Sequence, residues 1–331
     1  MINVVSSLKE YHHTVLFEGC FSSHDLNTLN VLRNDGADVR AVHVPAEGNP
    51  TVEYSTDWVT DDMLKCGGFD AAMLHNTLQH RGLGKAIPSI YYSYGNYDKN
   101  VQADIVAVAS DYARRHGRYN HSHMWDTHPP DYAEVIHPAI NVRRLRRLKR
   151  NNKEFTIGFV NTDYDGQYSL KLVRKLIAFA PKGTVIYVSA PDKYVDELKS
   201  IAGMSGRTVR LGRIVGTQNS SIIRSLDILV QGYGKPNYRS PYSKTVVEAL
   251  AVGIPVVCEK SGFLSEQLIH TQHCLFFDPC DYKKMIENIT LLYNNNNLRN
   301  QIGANGKAWA CNEDKSVYIN KLRVLLRRLG V

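Results

Sequence analysis

A series of short apolar stretches separated by helical patterns constrains this 331-residue chain more than any single motif. The first set is TVLFEG (14–19), DVRAVHV (38–44), FDAAMLH (69–75), SIYYSYG (89–95), DIVAVAS (104–110) and AEVIHPA (133–139). Several lack the alternation of a strand with one wet face, so they predict parallel strands buried on both faces. Between the first two, Asp25 caps the helical pattern LNTLNVLRNDG, which stops at Gly36. The pattern begins again after the basic run VRRLRRLKRNNK (142–153). FTIGFV (155–160), TVIYVSA (184–190), TVRLGRI (208–214), DILVQGY (227–233), IPVVCEK (254–260) and CLFFDP (274–279) form the second set. SLKLVRKLIAFA (169–180) and KTVVEALAVG (244–253) are its clearest helices, and the tail is nearly all helical. Two such series predict an α/β protein of two Rossmann-like domains, 1–150 and 151–331, facing across a cleft, with the C-terminal helices packing back. Ligands of such sheets bind at the carboxyl ends of the strands, so the loops there are where function is sought.

Charge narrows the classes of partner. The formal net charge is +8, yet residues 1–142 hold more acidic than basic side chains. A long phosphate track over the first half is therefore disfavoured. The basic run 142–153 has two readings, a solvated linker or a contact with an anionic surface of lipid or nucleic-acid phosphate. No run approaches the ~20 apolar residues of a spanning helix, and Lys9, Glu10, His12 and His13 interrupt any signal-peptide core. The cysteines are scattered without a CxxC pair, which predicts reduced thiols and a cytoplasmic location.

One helix carries an acid where packing wants none. SPYSKTVVEALAVGIPVV (240–257) opens a helix under Ser243-Lys244-Thr245 and places Glu248 within an otherwise apolar run. Read structurally, Glu248 is an ion-paired acid; read functionally, its two oxygens suit a vicinal diol.

The same stretch in its surroundings, DILVQGYGKPNYRSPYSKTVVEALAVGIPVVCEKSGFLSEQLI, resembles the signature region of retaining nucleotide-sugar glycosyltransferases of the GT-B fold, the glycosyl transferases group 1 family. Pro236-Asn237 stands where the family has Pro-Ser. Glu248-Ala249-Leu250-Ala251-x-Gly253-x-Pro255-Val256-Val257 and then Ser261-Gly262-x-x-x-Glu266 follow the family pattern. Leu211-Gly212 and Phe276-Phe277-Asp278-Pro279 extend it in both directions. The resemblance implies that Glu248 binds the ribose hydroxyls and that the Ser243, Lys244 and Thr245 N–H groups meet the diphosphate at the helix N-terminus. Tyr242 belongs to the same donor site, and Gly212-Arg213 would flank the base. Two departures stand out. Ser240 replaces the first acid of the family's Glu pair, and the loop GFVNTDYDGQ (158–167), where the family places diphosphate-binding bases, has none.

In the first half, VLFEGCFSSHDLNTLNVLRNDGADVRAVHV resembles the family's first strand, loop, helix and second strand, with Gly19 where backbone approaches the sugar phosphate. His75 ends a strand where family members often place a sugar-contacting histidine. With Ser240 it makes the candidate catalytic pair. His121, His123 and His128 could be imagined as metal ligands, but they suit acceptor contacts or solvent better, and no metal or bound cofactor is expected. Tyr91, Tyr92, Tyr94, Tyr97, Tyr119, Trp125 and Tyr132 are expected on loops, stacking on sugar or base or covering the cleft.

The resemblance implies a retaining glycosyltransferase. The first domain would take the acceptor and the second a nucleoside-diphosphate sugar, with transfer to a saccharide or lipid-linked saccharide. Alternatives are a viral-type transferase acting on hydroxymethylated DNA and a sugar-nucleotide-binding protein without catalysis. An epimerase of the same fold fits less well, lacking the Glu-Ala-Leu/Met-Ala-x-Gly-x-Pro-Val-Val pattern.

Overall fold

The structure is a computed structural model. It describes residues 8–18, 34, 36–43, 69–75, 87–93, 103–116, 130–148, 153–160, 166–189, 194–212, 219–233, 240 and 242–331. The chain divides into two compact units, Met1–Ala139 with Lys315–Val331, and Ile140–Asp314. The division falls at 139/140, and the last helix groups with the first unit.

In the first unit, β1 (Thr14–Glu18) pairs in parallel with β2 (Asp38–His43). A parallel four-stranded sheet follows, β3 (Ala72–His75), β4 (Ser89–Ser93), β5 (Ile105–Val108) and β6 (Glu134–Val135) in that order. All of β4 and β5 is buried, as apolar runs without alternation require. Tyr91 and Tyr92, expected on loops, are instead buried in β4. Tyr91 packs with Leu74, and the Tyr92 hydroxyl donates to the Ile136 carbonyl at 2.9 Å. Helix α1 (Asp111–His116) begins under Ser110, whose Oγ accepts the Ala113 N–H at 3.0 Å.

The second unit is built on one six-stranded parallel sheet. Its strands are β7 (Thr156–Phe159), β8 (Val185–Ser189), β9 (Thr208–Gly212), β10 (Ile228–Gln231), β11 (Val256–Glu259) and β12 (Leu275–Phe277), ordered β12-β11-β10-β7-β8-β9. Numbered within the sheet this is the 3-2-1-4-5-6 order of a Rossmann fold, with the reversal of strand order between β7 and β10. Its helices are α2 (Val142–Arg147), α3 (Gly166–Phe179), α4 (Val195–Ser205), α5 (Asn219–Arg224), α6 (Lys244–Ala251), α7 (Gly262–Gln267), α8 (Tyr282–Asn294) and α9 (Asn296–Trp309). Leu172, Val173, Leu176 and Ile177 of α3, and Met285, Ile289 and Leu292 of α8, fall at helical spacing and meet Ile157, Phe159, Ile186, Val188, Ile228 and Val230 of the sheet. Each such side chain contributes about 1.5–3 kcal/mol relative to exposure. This packing fixes the strand ends, and with them the loops.

Helix α10 (Lys315–Arg328) docks on the first unit. Arg323 Nε donates to Glu10 Oε1 at 2.8 Å, Lys321 Nζ donates to the Val135 carbonyl at 3.0 Å, and Arg328 pairs with Glu134. Among the described residues, no helix is long and apolar enough to cross a membrane.

Candidate functional site

Helix α6 starts from the carboxyl edge of the sheet. Ser243 is its N-cap residue, in extended conformation and buried, but its side chain makes no capping hydrogen bond. The first helical bond runs from the Val247 N–H to the Ser243 carbonyl at 3.1 Å. The donors ahead of it, on Lys244, Thr245 and Val246, are the orphan N–H groups of a helix start, where the dipole favours an anion. Lys244 is exposed on this first turn, and Thr245 beside it is half-buried.

One turn on, Glu248 is 9% exposed, with Val246, Val247, Ala249, Leu250 and Ala251 buried around it. Its charge partner is Lys244, whose Nζ lies 3.8 Å from Oε1, beyond hydrogen-bond distance. Burial pushes the Glu248 carboxyl above the usual carboxylate range, opposed by Lys244 and, more weakly, by Arg144 of α2. Among the described residues no donor hydrogen-bonds to it. A carboxylate so placed has lone pairs to give to a ligand.

The other candidates separate into three groups. Ser240 is 2% exposed; its Oγ donates to the Tyr242 carbonyl at 2.9 Å and accepts from the Tyr233 hydroxyl at 3.2 Å. Tyr242, expected on the donor, is turned inward. It is 2% exposed, its ring lies against Phe263, and its hydroxyl donates to Glu313 Oε2 at 3.2 Å. Gly212 ends β9 opposite Ser189. A Cβ there would overlap the hydroxyl of half-buried Tyr187, so the glycine makes room for that ring at the carboxyl edge. Finally, His75 ends β3 with only its backbone described, while Gly19, Arg213, the His121–His128 cluster and Pro236-Asn237 lie outside the described residues. Among the described residues, no His, Cys, Asp or Glu group could hold a metal ion.

Part of the basic run is committed within the second unit. Val142 and Leu145 of α2 are buried, and Arg146 reaches the Ala251 carbonyl at the end of α6 (3.2 Å) and Cys311 Sγ (3.1 Å). A cation there suits the negative end of the helix.

Sequence reasoning missed Glu259 and Glu313, both buried acids. A charged residue closing the apolar strand VVCE was the available signal for Glu259. Glu313 sits in a short 3-10 turn, Ala310–Glu313, with no pattern to mark it.

The family described as Glycosyl transferases group 1 matches residues 189–309, a span that contains β9 through α9 and the Glu248 helix. Solved structures match the whole chain in fold. HepE of Anabaena, in complex with UDP and glucose, superposes at a TM-score of 0.70 and 15% identity, covering 98% of this chain and 94% of that one. A glycosyltransferase from Rickettsia africae gives 0.71 at 12% identity, covering 99% and 93%. Sucrose-phosphate synthase from Thermosynechococcus elongatus gives 0.63 at 12% identity, covering 96% and 99%. At these identities the likeness establishes the two-domain GT-B type of α/β fold. No curated protein matches the chain in sequence.

Proposed function

We propose that the protein is a retaining glycosyltransferase that moves a sugar from a nucleoside-diphosphate sugar to a hydroxyl of a saccharide or lipid-linked saccharide, working in the cytoplasm. The second unit takes the donor and the first the acceptor. The observation that carries this reading is Glu248, a buried carboxylate one turn above an uncapped helix start and without a hydrogen-bond donor among the described residues. Its two oxygens accept the ribose hydroxyls, while the N–H groups of α6 and the Lys244 ammonium face the diphosphate. HepE structures hold UDP, glucose or UDP-glucose, which makes a uridine diphosphate sugar the first donor to test.

In the transfer step the acceptor oxygen forms a bond to the anomeric carbon on the face from which the diphosphate departs. The carbon–oxygen bond to phosphate breaks, and the acceptor proton passes to the leaving phosphate oxygen. The chain contributes position and electrostatics, Lys244 and the helix start stabilising the departing charge. His75, at the end of β3, is proposed to contact the transferred sugar.

A panel of nucleoside-diphosphate sugars, read by thermal shift and by slow donor hydrolysis, tests the reading. A donor that both stabilises and is hydrolysed supports a transferase. Stabilisation without hydrolysis, with or without candidate acceptors, favours a binding protein that lacks catalysis. The tied-up hydroxyl of Ser240 and the base-free 158–167 stretch favour that second reading. No response to any donor overturns both.

A further inference from the structure

Position 240, where the resemblance expects an acid, is the middle of a hydrogen-bonded chain that begins at another acid. Glu259 closes β11 and is 2% exposed. Its Oε2 accepts the backbone N–H of Tyr233 at 2.6 Å, a short bond in a low-dielectric setting. The side chain of the same Tyr233 donates its hydroxyl to Ser240 Oγ, and Ser240 Oγ donates to the Tyr242 carbonyl. On its other side the Ser240 carbonyl accepts the Phe263 N–H at 3.0 Å. Gly262, at φ +53°, lets that backbone come close, since a Cβ there would overlap the Ser240 carbonyl.

Every bond in this chain leads toward the start of α6. Ser240 and Tyr242 are the residues that deliver Ser243 and the open N–H groups after it. We infer that Glu259 and Tyr233 are positioning residues that hold the first turn of α6 in register for the donor diphosphate, with the Ser240 hydroxyl as their junction. The inference rests on the donor reading given above. It also explains why an acid is absent at 240. The site is buried, and its one hydroxyl serves as donor to a carbonyl and acceptor from a phenol, which a carboxylate cannot do.

The test uses the full chain, with UDP and uridine as probes, by calorimetric titration. Uridine reports the ribose contact at Glu248 together with the base contacts, and UDP adds the diphosphate contact at the helix start. Tyr233→Phe keeps the ring and removes the hydroxyl. The expected result is a loss of about tenfold in UDP affinity, the weight of one net hydrogen bond, with uridine affinity unchanged. A merely structural role would weaken both ligands together or neither. Glu259→Gln keeps an acceptor for the Tyr233 N–H and should retain most UDP affinity, whereas Glu259→Ala should lose it. Should Glu259→Ala fail to fold, Tyr233→Phe and Glu259→Gln still decide. Ser240→Glu, which restores the expected acid, should lower UDP binding rather than raise it. If wild type binds neither probe, nor any other nucleoside diphosphate, the donor reading falls and this inference with it. If wild type binds UDP, Glu248→Gln weakens both probes, and Tyr233→Phe binds UDP as wild type does, this inference alone is wrong.

Discussion

The two units differ in whether they bury acids. Among the described residues both units bury hydroxyls, Ser89, Ser93 and Ser110 in the first and Ser189, Ser240, Ser243 and Ser261 among those of the second, but the buried carboxylates, Glu248, Glu259 and Glu313, all lie in the second. Hydroxyls are cheap to bury because one hydrogen bond satisfies them, and Ser110 uses its oxygen to cap α1. A buried carboxylate is costly unless donors face it. Glu259 has the Tyr233 N–H and Glu313 the Tyr242 hydroxyl, whereas Glu248 has Lys244 at 3.8 Å. On the proposed donor reading, the difference separates acids that the fold uses from an acid left for a ligand.

Substitutions can break or sharpen this contrast. The largest effect is expected at Gly262, where the Glu259–Tyr233–Ser240 chain needs close approach. Gly262→Ala meets both a left-handed φ of +53° and the Ser240 carbonyl. It should cost about 3 kcal/mol in denaturant unfolding; a cost near zero would mean that Ser240 is free to move. Next comes Glu313→Ala, which leaves the Tyr242 hydroxyl buried without this acceptor. A loss of roughly 2 kcal/mol is expected, with donor binding unchanged, since Glu313 is an acid the fold uses. Weakened binding at unchanged stability would reverse its assignment. The smallest effect belongs to the first unit. Ser110→Ala removes a helix cap and should cost ~1 kcal/mol by the same measurement.

Much of the second unit was legible in the sequence because its strands are short apolar runs that only a doubly covered sheet can bury. Each expected strand there was found, trimmed by a residue or two at its ends, as at Ile228–Gln231 within DILVQGY. Glu248 was legible for the opposite reason, an acid breaking an apolar helical face. The inward direction of Tyr242 was not legible because adjacency in sequence says nothing about side-chain direction. A residue two before a helix can point into the core, as its bond to Glu313 shows. The Glu259–Tyr233–Ser240 chain was illegible, since it joins residues up to 26 positions apart through a sheet register. The destination of α10 was hidden for a similar reason. Its amphipathic pattern predicts a docked helix, but not that Glu10 and Glu134 are what it docks against.

The contrast also predicts how stability follows pH. Burial raises the Glu248 pKa above its reference value of 4.5. The folded state therefore holds this proton more tightly than the unfolded chain does. The stabilisation this confers is present below the unfolded value and is lost as pH rises through the raised folded value. At neutral pH an ionised Glu248 is thus a net cost to the fold. Glu248→Gln removes that cost, so its Tm should exceed wild type at pH 7 and the gap should close below pH 4.5.

The most direct measurement sets binding against stability in that one variant. Nucleoside-diphosphate affinity and Tm are measured at pH 7 for wild type and Glu248→Gln. The variant should melt above wild type yet bind the nucleotide roughly 30-fold more weakly, the scale of hydrogen bonds to a charged group. A variant that melts lower and binds the nucleotide as wild type does would show Glu248 to be a structural acid, and would contradict the donor site proposed for this protein.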